Sequence, residues 1–185
     1  MLYAQLHLTL PAWVHAAVDT DREYVGVDAQ VALAIELSRL NVEHASGGPF
    51  GAAVFNATGR LVGVGVNRVV AHNCSAAHAE VMALTTSQQR LQQFRLNAAA
   101  PGMTLATSAQ PCAMCYGALI WAGIDTLLIG ARADDVQTLA GFDEGPLPAD
   151  WAGELERRGI AVHADIRRDE ACAVLRHYGE SGLVY

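Results

Sequence analysis

Two short apolar runs, residues 103–108 and 125–130, stand on either side of a stretch of helix formers at 112–122. Neither run alternates polar with apolar residues, so both suit strands covered on both faces, as in a parallel pair. A parallel pair needs a crossover, and the intervening helix provides it. The spacing therefore predicts a βαβ unit with a right-handed connection, and the rest of the chain has to be layered on the two faces of that sheet.

Residues 28–44 read as a helix. Leu33, Leu37 and Leu40 form one stripe with Val31, Ala34 and Ile35 beside it, and Gly47-Gly48-Pro49 ends the segment. Two β-branched runs, 50–56 and 61–67, flank Ala57-Thr58-Gly59-Arg60 and predict an antiparallel hairpin. A helix over 78–94, a strand over 160–166 and a helix over 169–178 complete the pattern. The expected fold class is α/β, a three-layer α/β/α sandwich on a mixed five-stranded sheet. A chain of 185 residues is long enough for one core, so a single domain is expected over 1–185, with 1–27 as an N-terminal extension and 179–185 as a C-terminal tail. The Gly- and Pro-punctuated segment 141–148 reads as a loop, and its two acids beside Phe142 make it a candidate for function. Trp121 is expected in the core.

The formal charge is -7, and all 12 basic residues are Arg, with no basic run longer than two. A nucleic-acid partner is therefore not expected, because such binding depends on basic surfaces that displace counterions from phosphates. The first ten residues have no basic n-region, and no stretch reaches the length of a membrane span, so neither a secretion signal nor a membrane partner is expected. In such a chain, paired cysteines suggest metal or redox chemistry before a disulfide, and the expected compartment is a reducing cytoplasm. Cys74 and Cys172 match no motif and are expected as buried free thiols.

The chemistry gathers at two helix starts. His78-Ala79-Glu80 follows a loop, and Pro111-Cys112-Ala113-Met114-Cys115 follows a buried strand. Residues three apart share a helical face, so Cys112 and Cys115 can point at one ion, and Pro111 stands where a missing N–H is tolerated. Alone, the Cys pair fits a disulfide or half of a structural zinc knot, and His78 alone fits a structural helix-start histidine. Together, one imidazole and two thiolates suit zinc, and three protein ligands leave the fourth position open, which is the mark of catalysis. The helix N-termini and the cation both favour thiolates, and zinc brings the pKa of a water toward ~7. Glu80, one turn from the metal, is placed to move the protons.

H-x-E followed by P-C-x-x-C is the signature of zinc deaminases that act on bases. The resemblance runs from about Asp28 onward. Gly47-Gly48-Pro49-Phe50-Gly51, Asn67, Ala77-His78-Ala79-Glu80, the 107–112 run and Ala140-Gly141-Phe142-Asp143-Glu144 are together similar to bacterial guanine deaminases of the cytidine-deaminase superfamily, some of which also accept ammeline. The resemblance implies one zinc per subunit on His78, Cys112 and Cys115, with Glu80 and Glu144 as catalytic carboxylates. It implies base contacts from Asn67, Phe50, Phe142, Ala79 and Tyr185. It also implies a homodimer in which the C-terminal segment of one subunit closes over its partner's site, a use the apolar ending Leu183-Val184-Tyr185 would suit. The expected reaction is hydrolytic deamination of a free nucleobase, guanine to xanthine and ammonia. Deamination of cytosine, a triazine or adenosine in transfer RNA remains open, as does a catalytically inactive binding module, although Glu80 beside an open zinc weighs against the last.

Overall fold

In a computed structural model the chain is described at residue 3 and residues 5–182. Its elements in chain order are α1 (Val14–Ala17), α2 (Val27–Glu43), β1 (Gly51–Phe55), β2 (Leu61–Val66), α3 (Val69–His72), α4 (Ala79–Leu91), β3 (Thr104–Ala109), α5 (Ala113–Ala122), β4 (Thr126–Ala131), α6 (Ala133–Ala140), α7 (Trp151–Glu156), β5 (Ala161–His163) and α8 (Arg168–Glu180). The sheet order is β2-β1-β3-β4-β5. β1 pairs antiparallel with β2 and β3, whereas β3–β4 and β4–β5 are parallel, so the sheet is mixed and five-stranded, as the sequence predicts.

Period-2 alternation on the strands divides the core into two layers. Ala53 and Phe55 of β1 and Leu128 of β4 face a cluster with Leu37 of α2, Val136 of α6 and Leu175 of α8. Their neighbours Ala52, Val54, Leu127 and Ile129 face Ala83 of α4, Leu119 of α5 and Leu155 of α7. The two helices that carry the H-x-E and C-x-x-C motifs therefore lie on the same face of the sheet. Gly65 makes the close fit possible. A Cβ there would sit 2.0 Å from the Ala79 carbonyl oxygen and 2.3 Å from the Ala83 nitrogen, so the first turn of α4 rests directly on β2.

Several expectations are corrected. The predicted strand over 160–166 is only the three residues of β5, at the sheet edge, because the chain turns at Asp165 with φ 66°. The tail starts later than 179, since α8 runs through Gly179 to Glu180. Trp121 is 80% exposed, not core, because its position on α5 faces away from the sheet. Cys172 is buried as expected, but Cys74 is only half-buried. α6 and α7 lie in segments too short and too polar for periodicity to mark them. The N-terminal segment packs Val14 and Tyr24 into the α2 side of the core, and Tyr24 donates its backbone N–H to the Gly59 carbonyl at 2.8 Å.

Candidate active site

His78 and Cys112 occupy the position immediately before the first turn of α4 and of α5, with extended backbones (ψ 157° and 171°). Both side chains thus stand at the positive end of a helix dipole, where anionic sulfur is favoured. Cys115 follows one turn into α5 and is fully buried. The ligand atoms of His78, Cys112 and Cys115 all lie within 4.8 Å of one another. Cys112 Sγ is 3.5 Å from His78 Nδ1. Two ligands on a tetrahedral zinc, at bond lengths of about 2.3 Å and about 2.0 Å, would be about 3.5 Å apart. The donor set, one imidazole and two thiols, and its spacing both fit that ion.

Cys112 accepts from Cys115 and His78, and its pKa falls to about 4. The same hydrogen bond and burial push the Cys115 thiol up. His78 is raised chiefly by its hydrogen bond to Cys112.

A cavity of about 160 Å³ opens beside this set, lined by Phe50, His78, Glu80, Gln110, Phe142, Asp143 and Glu144. Glu80 is 8% exposed. Burial, followed by the Cys112 sulfur, lifts its carboxyl to about 7. Glu144 is lifted to about 8 by burial, the charge of Glu80 and that of Cys112. The carboxylates of Glu80 and Glu144 face one cavity and repel each other's ionised form, with Asp143 adding to the charge felt by Glu144, so each can hold a proton near neutral pH.

The loop carrying Glu144 is fixed to the metal-site helix. The Ala113 N–H donates to the Glu144 carbonyl at 2.9 Å, and Asp143 Oδ1 accepts from the Gly145 N–H at 2.8 Å. Phe142 stacks on Tyr178 of α8 (5.9 Å between ring centroids) and meets Phe50 edge-on at 5.3 Å, so two aromatic rings wall the cavity. Asn67 follows β2 and is buried, with Oδ1 accepting from the backbone N–H groups of Val69 (3.3 Å) and Gly48 (3.5 Å). Among the described residues, neither Asn67 nor Ala79 lines the cavity. Ala79 instead packs its methyl into the α4–α5 core. Tyr185 lies outside the described residues. Gln110 was present in the motif run but carried no separate signal. Its side-chain oxygen accepts from the Ala133 N–H at 3.3 Å, and only the fold of β3 against β4 turns it toward the cavity.

Residues 28–131 match the model of the cytidine and deoxycytidylate deaminase zinc-binding region. The chain belongs to this zinc-binding deaminase family. A solved structure of the guanine deaminase from Nitrosomonas europaea superposes with a TM-score of 0.90 at 44% identity, covering 97% of this chain and 99% of that one. The structure of NE0047 in complex with 2,6-diaminopurine is 46% identical and covers 98% of this chain and 96% of that one, again with a TM-score of 0.90. The guanine deaminase of Bacillus subtilis is 35% identical over 130 residues, 70% of this chain and 80% of the relative. A tRNA-specific adenosine deaminase from Buchnera aphidicola is 30% identical over 119 residues, 64% of this chain and 72% of the relative.

Proposed function

We propose that this zinc-dependent hydrolase of the deaminase family converts guanine and water to xanthine and ammonia. The observation that carries the reading is the second carboxylate, the half-buried Glu144, lining the same cavity as Glu80 and His78. Support also comes from the near-complete structural overlap with a guanine deaminase. The net charge of -7 and the absence of Lys favour a small neutral base over folded RNA.

When bound by His78, Cys112 and Cys115, zinc would acidify a water and leave its fourth position open to it. Glu80 takes the water proton as the oxygen bonds to C2 of guanine, and passes that proton to the ring nitrogen beside C2. The carbon becomes tetrahedral. Glu144 then delivers a proton to the exocyclic amine while Glu80, again a carboxylate, takes the proton of the new C2 hydroxyl; the C2–N bond breaks, ammonia leaves as the C2 carbonyl forms, and the proton on Glu80 returns to Glu144 for the next turnover. Phe50 and Phe142, which line the cavity, would hold the faces of the base, while Asn67 and Ala79, which do not line it, and Tyr185 are proposed to reach the edge of the base when it binds. Ammeline, with a similar amino-substituted ring, is a second substrate under this reading.

The whole chain is read as one catalytic domain working as a homodimer, with the segment after Gly182 closing over the partner's cavity. Among the described residues no helix is long and apolar enough to cross a membrane. All four cysteines are free, which suits a reducing cytoplasm. Ammonia release measured on guanine, ammeline, cytosine, adenine, their nucleosides and folded transfer RNA tests the substrate. Guanine is expected to give the highest kcat/KM, and a preference for transfer RNA would reject the proposal. Deleting residues 183–185 tests the lid, because unchanged kcat/KM would remove the tail from the site.

A further inference from the structure

The N-terminal segment ahead of α2 does more than cover the core. Trp13 stacks on His44 at the end of α2, with ring centroids 5.3 Å apart and planes 12° apart, and its indole N–H donates to Ser46 Oγ at 3.0 Å. Ser46 Oγ lies 2.8 Å from Asn41 Oδ1. Asn41 is fully buried, and its Nδ2 donates to the carbonyls of Gly48 at 2.8 Å and Asn67 at 3.0 Å. Three side chains, those of Trp13, Ser46 and Asn41, thus form one continuous hydrogen-bonded path from Trp13 to the carbonyls of Gly48 and Asn67.

The direction of that path follows from donor arithmetic. An indole N–H can only donate, and a serine hydroxyl has one proton. Because Trp13 occupies a lone pair of Ser46 Oγ, the hydroxyl proton is directed to Asn41 Oδ1, the nearer of its two acceptors. That defines which end of the Asn41 amide is oxygen, and it turns both hydrogens of Nδ2 toward the two carbonyls. A flipped amide would set oxygen against two carbonyl oxygens.

The segment being held is conformationally demanding. Ala45 has φ 49°, a left-handed backbone for a residue with a side chain. A Cβ at Gly47 would lie 1.9 Å from the Asn67 carbonyl oxygen, so the two backbones touch. Arg68 Nη1 donates to the Ser46 carbonyl at 2.5 Å. Beyond the contact, the Asn67 N–H donates to the Phe50 carbonyl at 3.1 Å, which links the same path to the aromatic wall of the cavity.

We propose that Trp13 is a positioning residue for the base-binding end of the site, acting through the hydroxyl of Ser46 and the amide of Asn41 on Asn67. This rests on the reading that Asn67 and Phe50 bind the base. The decisive experiment measures kcat and KM for guanine, with zinc content, in Trp13→Phe, Ser46→Ala, Ser46→Thr, Asn67→Ala and the Trp13→Phe/Asn67→Ala double variant. Trp13→Phe keeps an aromatic ring over His44 while removing the N–H and part of the stacked area, and Ser46→Ala, which leaves the stack intact, isolates the hydrogen bond. In it and in Ser46→Ala, KM is expected to rise about 3–10-fold, the scale of one lost hydrogen bond, with kcat and zinc content nearly unchanged. Ser46→Thr, which restores a hydroxyl, should return KM to the wild-type value. In the Asn67→Ala background, Trp13→Phe should add less than about twofold, because coupled residues are not additive. An unmoved KM in both Trp13→Phe and Ser46→Ala, or the same rise with and without Asn67, overturns the relay alone. An unmoved KM in Asn67→Ala overturns the relay and the base-binding role of Asn67 together.

Discussion

Cys112 Sγ lies 3.5 Å from His78 Nδ1, and each residue directly precedes the first turn of its own helix. The contact is therefore a meeting of two helix N-termini, held together because α4 and α5 pack on one face of the sheet. The third donor, Cys115, is placed by helical periodicity alone, one turn after Cys112. Any change that separates the two helix starts should act on the metal before it acts on the substrate.

Metal removal gives the first prediction. Prolonged dialysis against a chelator should abolish deamination, and stoichiometric Zn²⁺ should restore it. Cys112→Ser should weaken zinc binding by more than the ~10–100-fold typical of an outer partner of a metal ligand. Atomic absorption on purified protein checks both. Full activity in a zinc-free preparation would remove the metal from the reading.

Glu80 gives the second. It is buried beside the metal set and is the only residue of the H-x-E motif not committed to binding the ion or to core packing. Glu80→Gln keeps shape and hydrogen bonding but cannot transfer protons. kcat should fall by ~10²–10⁴ with zinc still at one per chain, the range expected for loss of general acid–base catalysis. Turnover within tenfold of wild type would assign proton transfer elsewhere.

The contrast between Glu80 and Gln110 shows what could be read from the chain in advance. Glu80, His78, Cys112 and Cys115 are local signals: their spacing on a helix start fixes their relation without knowledge of the fold. The five strands were legible for a similar reason, as short runs whose apolar pattern depends on burial alone. Gln110 reaches the cavity only because β3 and β4 pair in a particular register, with the Gln110 N–H donating to the Ala131 carbonyl at 2.8 Å. The path from Trp13 to Asn67 spans 54 positions and depends on hydrogen-bond directions that no periodicity encodes. α6 and α7 escaped notice because eight- and six-residue helices rich in acids look like loops.

Gly65 gives the third prediction. A methyl group there would meet the Ala79 carbonyl oxygen at 2.0 Å, and that backbone cannot move away without shifting His78 and Glu80 on either side. Gly65→Ala should cost about 1–3 kcal/mol of stability, as overpacking of a closed interface does. It should also lower kcat, because α4 carries Glu80, the proposed proton carrier, and begins directly after His78. Urea unfolding and steady-state kinetics are the measurements. An unchanged midpoint together with unchanged kcat would show that β2 and α4 are less tightly coupled than the contact implies.

The last prediction concerns acid stability, to which Asp135 and Arg168 contribute far from the cavity. Arg168 donates Nε and Nη2 to the two carboxylate oxygens of Asp135, both at 2.7 Å, and ties α8 to α6. The hydrogen bonds to the guanidinium hold the Asp135 carboxyl down from 3.8 to about 2. A carboxyl whose folded pKa lies below its unfolded value stabilises the fold fully above the unfolded value, and that contribution disappears as pH falls through the folded value. The window therefore runs from about pH 4 down to pH 2. Arg168 is 37% exposed, so solvent screening reduces the contribution to about 1–2 kcal/mol. Asp135→Asn retains one oxygen to accept from the Arg132 N–H, which donates to Asp135 Oδ2 at 2.8 Å, and removes the charge together with the second acceptor that Arg168 uses. The variant should be less stable than wild type by that amount at pH 7, and the gap should close toward pH 2 because the wild-type carboxyl is then protonated as well. Urea midpoints at pH 7, 4 and 2.5 measure the gap, and a difference that stays constant across them would mean the Asp135 charge contributes nothing to the coupling of α6 and α8.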